Sequence, residues 1–121
     1  MSLDSAARRR FARQLLLAEI GEPGLERLLM ARFRPGATSD ADAHAVAAEY
    51  LERAGCSFDP GGQEVRVADS QAVARLAGSP ELHEPAAWVA GAFAAVEHLK
   101  EVLGIATARE LPSDLRLCDE D

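Results

Sequence analysis

From Pro85 to Val96 the chain carries no charged side chain. Around that stretch Trp88, Ala92, Val96, Leu99 and Leu103 recur at intervals of three and four, the spacing of a helix over about 84–103. Ala87, Gly91, Ala94 and Ala95 add a second surface of small residues, against which another helix can approach closely. A helix that is apolar on two sides needs two neighbours, one inside the fold and one in a second subunit. The expected interface is therefore Trp88, Gly91, Ala92, Ala95, Val96 and Leu99, joined by Phe11 and Leu15 of the first helix. The uncharged stretch falls well short of the ~20 residues needed to span a bilayer, so no membrane partner is expected.

The rest of the chain supplies the neighbours. Asp4 or Ser5 caps a first helix to about Ile20, with Ala7, Phe11 and Leu15 in one apolar line and Leu16 and Ile20 beside it. Gly21-Glu22-Pro23-Gly24 breaks it, and Pro23 suits the first turn of a second helix carrying Leu25, Leu28 and Leu29. Arg32 to Gly36 reads as a short edge strand or a loop, because Pro35 cannot donate to a ladder. Ser39 with Asp42 resembles a capping box that opens a helix to Ala54, and Gly55 closes it. Cys56-Ser57-Phe58 and Gln63 to Val67 flank the turn-rich Asp59-Pro60-Gly61-Gly62, which suits a small hairpin. Asp69 or Ser70 caps a short helix that bears Val73 and Leu76 and stops at Gly78. Asp114 to Cys118 alternates well enough for a last strand.

At 121 residues the chain is expected to form one domain, 1–121, with an N-terminal helix pair over 1–32, a crossover-like helix over 39–55 and the late apolar helix over 84–103. Its net charge of −7 argues against broad binding to nucleic acid, since phosphate contacts need a basic surface. Only Arg8-Arg9-Arg10 with Arg13 forms a local basic patch. Two cysteines far apart, Cys56 and Cys118, without a secretory hydrophobic region ahead of them, read as a reduced cytoplasmic chain. Together with His44, His83 and His98 they offer no ligand pair at a recognised metal spacing, so no metal is expected. Cys56 reads as core.

The run Arg10-Phe11-Ala12-Arg13-Gln14-Leu15-Leu16-Leu17-Ala18-Glu19-Ile20-Gly21, followed by Pro23-Gly24-Leu25-Glu26-Arg27-Leu28, resembles the opening of the ThiF/MoeB/HesA family, the E1-like enzymes that adenylate ubiquitin-like sulfur carriers. Ala48-Glu49-Tyr50-Leu51-Glu52-Arg53-Ala54-Gly55 is similar to that family's first crossover helix, and Gly91 to Gly104 to a late helix. The resemblance covers both ends and about half of the chain. It implies a mostly helical α/β fold, a truncated Rossmann-like remnant with about five helices and a few short strands. It also implies that Arg13, with Arg10 beside it, is the arginine that reaches a nucleotide in the partner subunit, and that Asp69 stands where the family places a ribose-binding acid. The glycine-rich phosphate loop is reduced to Gly36, with Asp40 and Asp42 bringing negative charge to the same place. The family's ATP-handling lysine and aspartate, its zinc cysteines and its catalytic cysteine loop have no counterpart here.

These readings favour a non-catalytic E1-like protein that serves as a dimerisation or partner-docking module. Its expected partners are a second copy, a full-length E1-like enzyme or a ubiquitin-like carrier, and it takes no cofactor. The alternative is a minimal adenylating protein that binds ATP and magnesium through Arg10, Arg13 and Asp69. A third reading, a small winged-helix DNA-binding regulator, uses helices near 23–32 and 39–54 and the hairpin after them. Asp40, Asp42, Glu49 and Glu52 on the would-be recognition helix oppose it.

Overall fold

The computed structural model describes residues 21–117. Helix α1, Gly21–Met30, starts on Gly21 at a positive φ of 56°, and Pro23 in its first turn lacks only an N–H that has no helical acceptor. Its Leu25 and Leu28 are buried. Strand β1, Arg32–Pro35, follows, and then helix α2, Ala41–Ala54. Gly55, left-handed at φ 116°, ends α2: its N–H donates to Glu52 O, while the Cys56 N–H reaches Leu51 O. Strands β2, Ser57–Phe58, and β3, Gln63–Val65, precede helix α3, Ser70–Ala77, a single 3₁₀ turn over Pro80–Leu82, and helix α4, His83–Val102.

The fold is thus mixed α/β and mostly helical, with a small three-stranded parallel sheet. Strand order is β2-β1-β3. Arg32 pairs with Ser57 and Phe33 with Phe58 on one edge; Phe33, Arg34 and Pro35 pair with Gln63, Glu64 and Val65 on the other. This corrects two expectations. The Arg32–Gly36 segment is the central strand rather than an edge or a loop, and its Phe33 is fully buried. Pro35 is tolerated because it stands at the strand's last position, where the ladder ends.

The expected hairpin at 56–67 is also replaced. Strands β2 and β3 do not pair with each other; the chain keeps its direction and passes from one edge of β1 to the other through residues 59–62. Asp59 closes this short passage, accepting from Gly62 N at its carbonyl and from Gly61 N at its side chain. Gly62 crosses the Arg32–Phe33 peptide so closely that a Cβ there would lie 2.6 Å from the Arg32 carbonyl carbon. The glycine pair that looked like a hairpin turn is what lets one backbone cross another.

Helix α4 lies on α2 through its small residues. Ala86, Ala87, Ala90, Gly91, Ala94 and Ala95 are buried, facing a side of α2 that offers Ala43, Val46 and Ala47. A Cβ on Gly91 would stand 2.7 Å from Val46 Cβ. One core cluster joins Leu25, Leu28, Phe33, Leu51, Cys56 and Val65 to Ala94 and Ala95, and a second joins Val73, Leu76 and Ala77 to Ala86, Ala87 and Ala90.

Beyond α4 the chain runs without a strand to residue 117, so the last strand expected from Asp114 is not formed over the described part. The tail is held instead by single bonds. Arg109 N donates to Glu97 at 2.9 Å, and Leu117 N donates to Leu76 O at 2.8 Å. Among the described residues no helix is long and apolar enough to cross a membrane. The segment expected to form the N-terminal helix, with Arg10, Phe11, Arg13 and Leu15, lies outside the described residues, as does Cys118.

Candidate functional site

In a parallel sheet a ligand site is expected beyond the carboxyl ends of the strands, where helix N-termini converge. Here β1 leads through residues 36–40 into α2, and β3 leads through residues 66–69 into α3. Asp40 is the residue on which the two connections meet. Its backbone N–H donates to Ala68 O at 2.8 Å, which ties the first loop to the end of the second. One carboxylate oxygen accepts from Ala43 N at 3.0 Å and caps α2; the other accepts from Ser70 Oγ at 2.8 Å. His83 Nε2, at the start of α4, stands 3.9 Å from that second oxygen. The capping residue is thus Asp40 and not Ser39, whose hydroxyl is buried without a partner.

Asp40 is only 6% exposed. Burial pushes its pKa up, but the Ala43 amide, the Ser70 hydroxyl, His83 and the Asp42 amide together outweigh it and hold the carboxyl below its ordinary value of 3.8. The N-terminus of α2 therefore already contains an anion, supplied by the chain itself. An incoming phosphate would have to displace a buried carboxylate from two hydrogen bonds.

Comparison with protein-family profiles, curated proteins and solved structures returns no match. The site is therefore read from its own geometry.

Asp40, Asp42 and His83 bring one ligand atom each to within 4.8 Å of one another. The sequence analysis expected no metal from ligand spacing, and this group could not be read from spacing because the fold assembles it: Asp40 and Asp42 stand at the start of α2 and His83 at the start of α4. Asp40 is already committed to two hydrogen bonds, and the α2 dipole opposes a cation at this end. The arrangement works as a junction that joins the starts of α2 and α3 through hydrogen bonds to Asp40, with His83 at the start of α4 close by.

Asp69, expected at a ribose position, caps α3, its side chain accepting from Ala72 N at 2.8 Å. It lies on the rim of a groove that also includes Arg66, Arg75 and Phe93. Asp69 and Asp40 thus meet at the same end of the sheet, each occupying the N-terminus of its own helix. Arg10 and Arg13 cannot be added to this geometry, because both lie outside the described residues.

The interface residues expected on α4 separate into two groups. Gly91 and Ala95 are interior, packed towards α2 and the core, and so are not available to a second chain. Leu99 is half-buried against the core, and Ala92 is half-buried. Trp88 and Val96 remain exposed, at 47% and 54%. Tyr50 of α2, which the sequence analysis placed only within the crossover-like helix, meets Trp88 edge to face with ring centroids 6.3 Å apart. Cys56 is buried as expected, and burial raises its thiol to about 11, although Arg32 pulls it down. A thiol of that pKa is a poor nucleophile at neutral pH.

Proposed function

We propose that this chain is a degenerate, non-catalytic relative of the ThiF/MoeB/HesA family that acts as a dimerisation or partner-docking module in a ubiquitin-like or sulfur-carrier system. The observation that carries the reading is the buried Asp40 carboxylate at the N-terminus of α2. A Rossmann-type fold receives phosphate at this place, after the first parallel strand and at the start of the crossover helix. The order β1–α2–β2 with a parallel pair fits such an origin. Filling the anion site with an internal carboxylate removes nucleotide chemistry and keeps the scaffold. Trp88 and Val96, exposed on α4, with Tyr50 beside Trp88, give the scaffold an aromatic and aliphatic docking surface.

The test is a thermal melt of the purified chain with and without Mg-ATP, run beside its solution mass and a binding titration with a ubiquitin-like carrier. Ligand at a hundredfold excess over its dissociation constant stabilises by about 2.7 kcal/mol, which moves the midpoint by several degrees in a domain of this size. We expect no shift, together with a dimeric mass or saturable carrier binding. A clear shift would establish a nucleotide site and revive the adenylating reading through Arg10, Arg13 and Asp69. A monomer that binds no carrier would remove the docking reading.

A further inference from the structure

The outer groove between α2 and α4 is lined by both apolar and acidic side chains. Val46 and Trp88 form its apolar part and Tyr50 adjoins Trp88, while Asp42, Glu49 and Glu84 stand on its walls; the groove is open to solvent, with a volume of about 380 Å³. Trp88 and Tyr50 are 47% and 37% exposed. Glu49 is paired with Arg53 at 2.6 Å, whereas among the described residues Asp42 and Glu84 carry no ion pair. We propose that this groove is the docking site for a basic peptide segment of a partner protein, with arginine or lysine side chains laid over the Tyr50–Trp88 pair and against Asp42, Glu49 and Glu84. The inference rests on the docking reading above, but it does not require the partner to be a sulfur carrier.

Charge selects the occupant. In a twofold contact between copies, these three carboxylates would face their own equivalents, in a chain of net charge −7. Anionic lipid and nucleic acid are disfavoured for the same reason. A guanidinium satisfies both halves of the groove, since it stacks on an aromatic face and donates two parallel hydrogen bonds to a carboxylate. An apolar side chain next to it in the peptide would take the space over Val46.

Trp88 is the chain's single tryptophan, so its emission reports on the groove directly. The probe is a synthetic amphipathic peptide with leucines on one face and flanking arginines, titrated beside the same peptide with glutamate in place of arginine. We expect a saturable change in Trp88 emission with the arginine peptide, weakened by salt, and none with the glutamate peptide. Replacing two rim carboxylates (Glu49→Arg with Glu84→Arg) turns attraction into repulsion and should weaken binding roughly tenfold or more. A control with the same change in net charge on the tail, Glu110→Arg with Asp114→Arg, should leave it unchanged. Melting curves of both double variants establish that they fold.

Equal weakening by the two double variants overturns the proposal, as does an equal response to both peptides. No response at all also overturns it. If emission then responds only after Arg8, Arg9, Arg10 and Arg13 are changed to glutamate, the groove belongs to the chain's own basic segment, and an external partner is excluded. None of these readouts depends on Mg-ATP, on solution mass or on a carrier, so failure here is distinguishable from failure of the functional reading.

Discussion

Asp40 bonds two helix starts with one side chain and stands 3.9 Å from His83 at a third, and its titration gives the native state a definite acid limit. Its folded pKa lies below 3.8, so it binds fewer protons when folded than when unfolded. Its contribution is complete above the unfolded value and is lost as pH falls through the folded one. His98 behaves in the same sense at higher pH. Burial lowers its pKa from 6.5, with Glu101 opposing, and the buried imidazole stays neutral after the unfolded chain's has charged. His44 is lowered by burial as well. The stability of the chain should therefore be greatest above pH 6.5, decline below it as the unfolded histidines bind protons, and drop again below about pH 4. Urea midpoints measured across that range check this: His98→Gln should make the upper limb shallower, with His44 supplying what remains, and leave the lower one. Asp40→Ala removes the α2 cap and strands the Ser70 hydroxyl, at about 1–2 kcal/mol. Midpoints that stay level from pH 7 to pH 5 would contradict the histidine account.

At the scale of elements, Gly91 decides how α2 and α4 meet. Alanine normally favours a helix interior over glycine by about 0.5–1 kcal/mol. At this position the new methyl would collide with Ala43 O and Val46, and the helices would have to separate along a face made of alanines. Gly91→Ala should therefore destabilise by about 1–3 kcal/mol, read as a lower urea midpoint with an unchanged slope; a higher midpoint would show that the helices part freely. This packing also explains which parts of the fold were legible in the sequence. Local signals were sound: Gly55 and Gly78 end their helices, and Asp69 caps α3. On α4 the expected interface grouped Trp88 and Val96 with Gly91 and Ala95, yet the small residues are inside and Trp88 and Val96 outside, because α2 presents Ala43 and Ala47 and close approach favours short side chains. The crossing of β1 was not legible, since a Pro-Gly-Gly sequence serves a hairpin and a crossing equally well. Nor was the Asp40 junction: Ser70 and His83 reach it from helices that only the tertiary fold brings together.

At the scale of the molecule, the two core clusters could unfold separately if nothing rigid spanned them. Helix α4 does span them, placing Ala86, Ala87 and Ala90 in one and Ala94 and Ala95 in the other. Helix α2 does the same with Ala43 on one side and Ala47 and Leu51 on the other, while Val67 packs against both. A helix cannot be half-released without exposing apolar surface on both of its neighbours, so the described part should unfold as one unit. Two truncations test this from opposite ends. Leu28→Ala opens a cavity in the first cluster and Leu76→Ala one in the second, each at about 2–5 kcal/mol. Both should shift one and the same transition, with helix content by circular dichroism and Trp88 emission tracing superimposable curves in each variant. If Leu76→Ala moved the fluorescence curve ahead of the helical signal, the half built on α3 would be a separate folding unit. In that event the docking surface around Trp88 could be lost while the sheet remained intact. A single shared transition makes the surface and the sheet inseparable, so that a partner binding at the α2–α4 groove stabilises the whole chain.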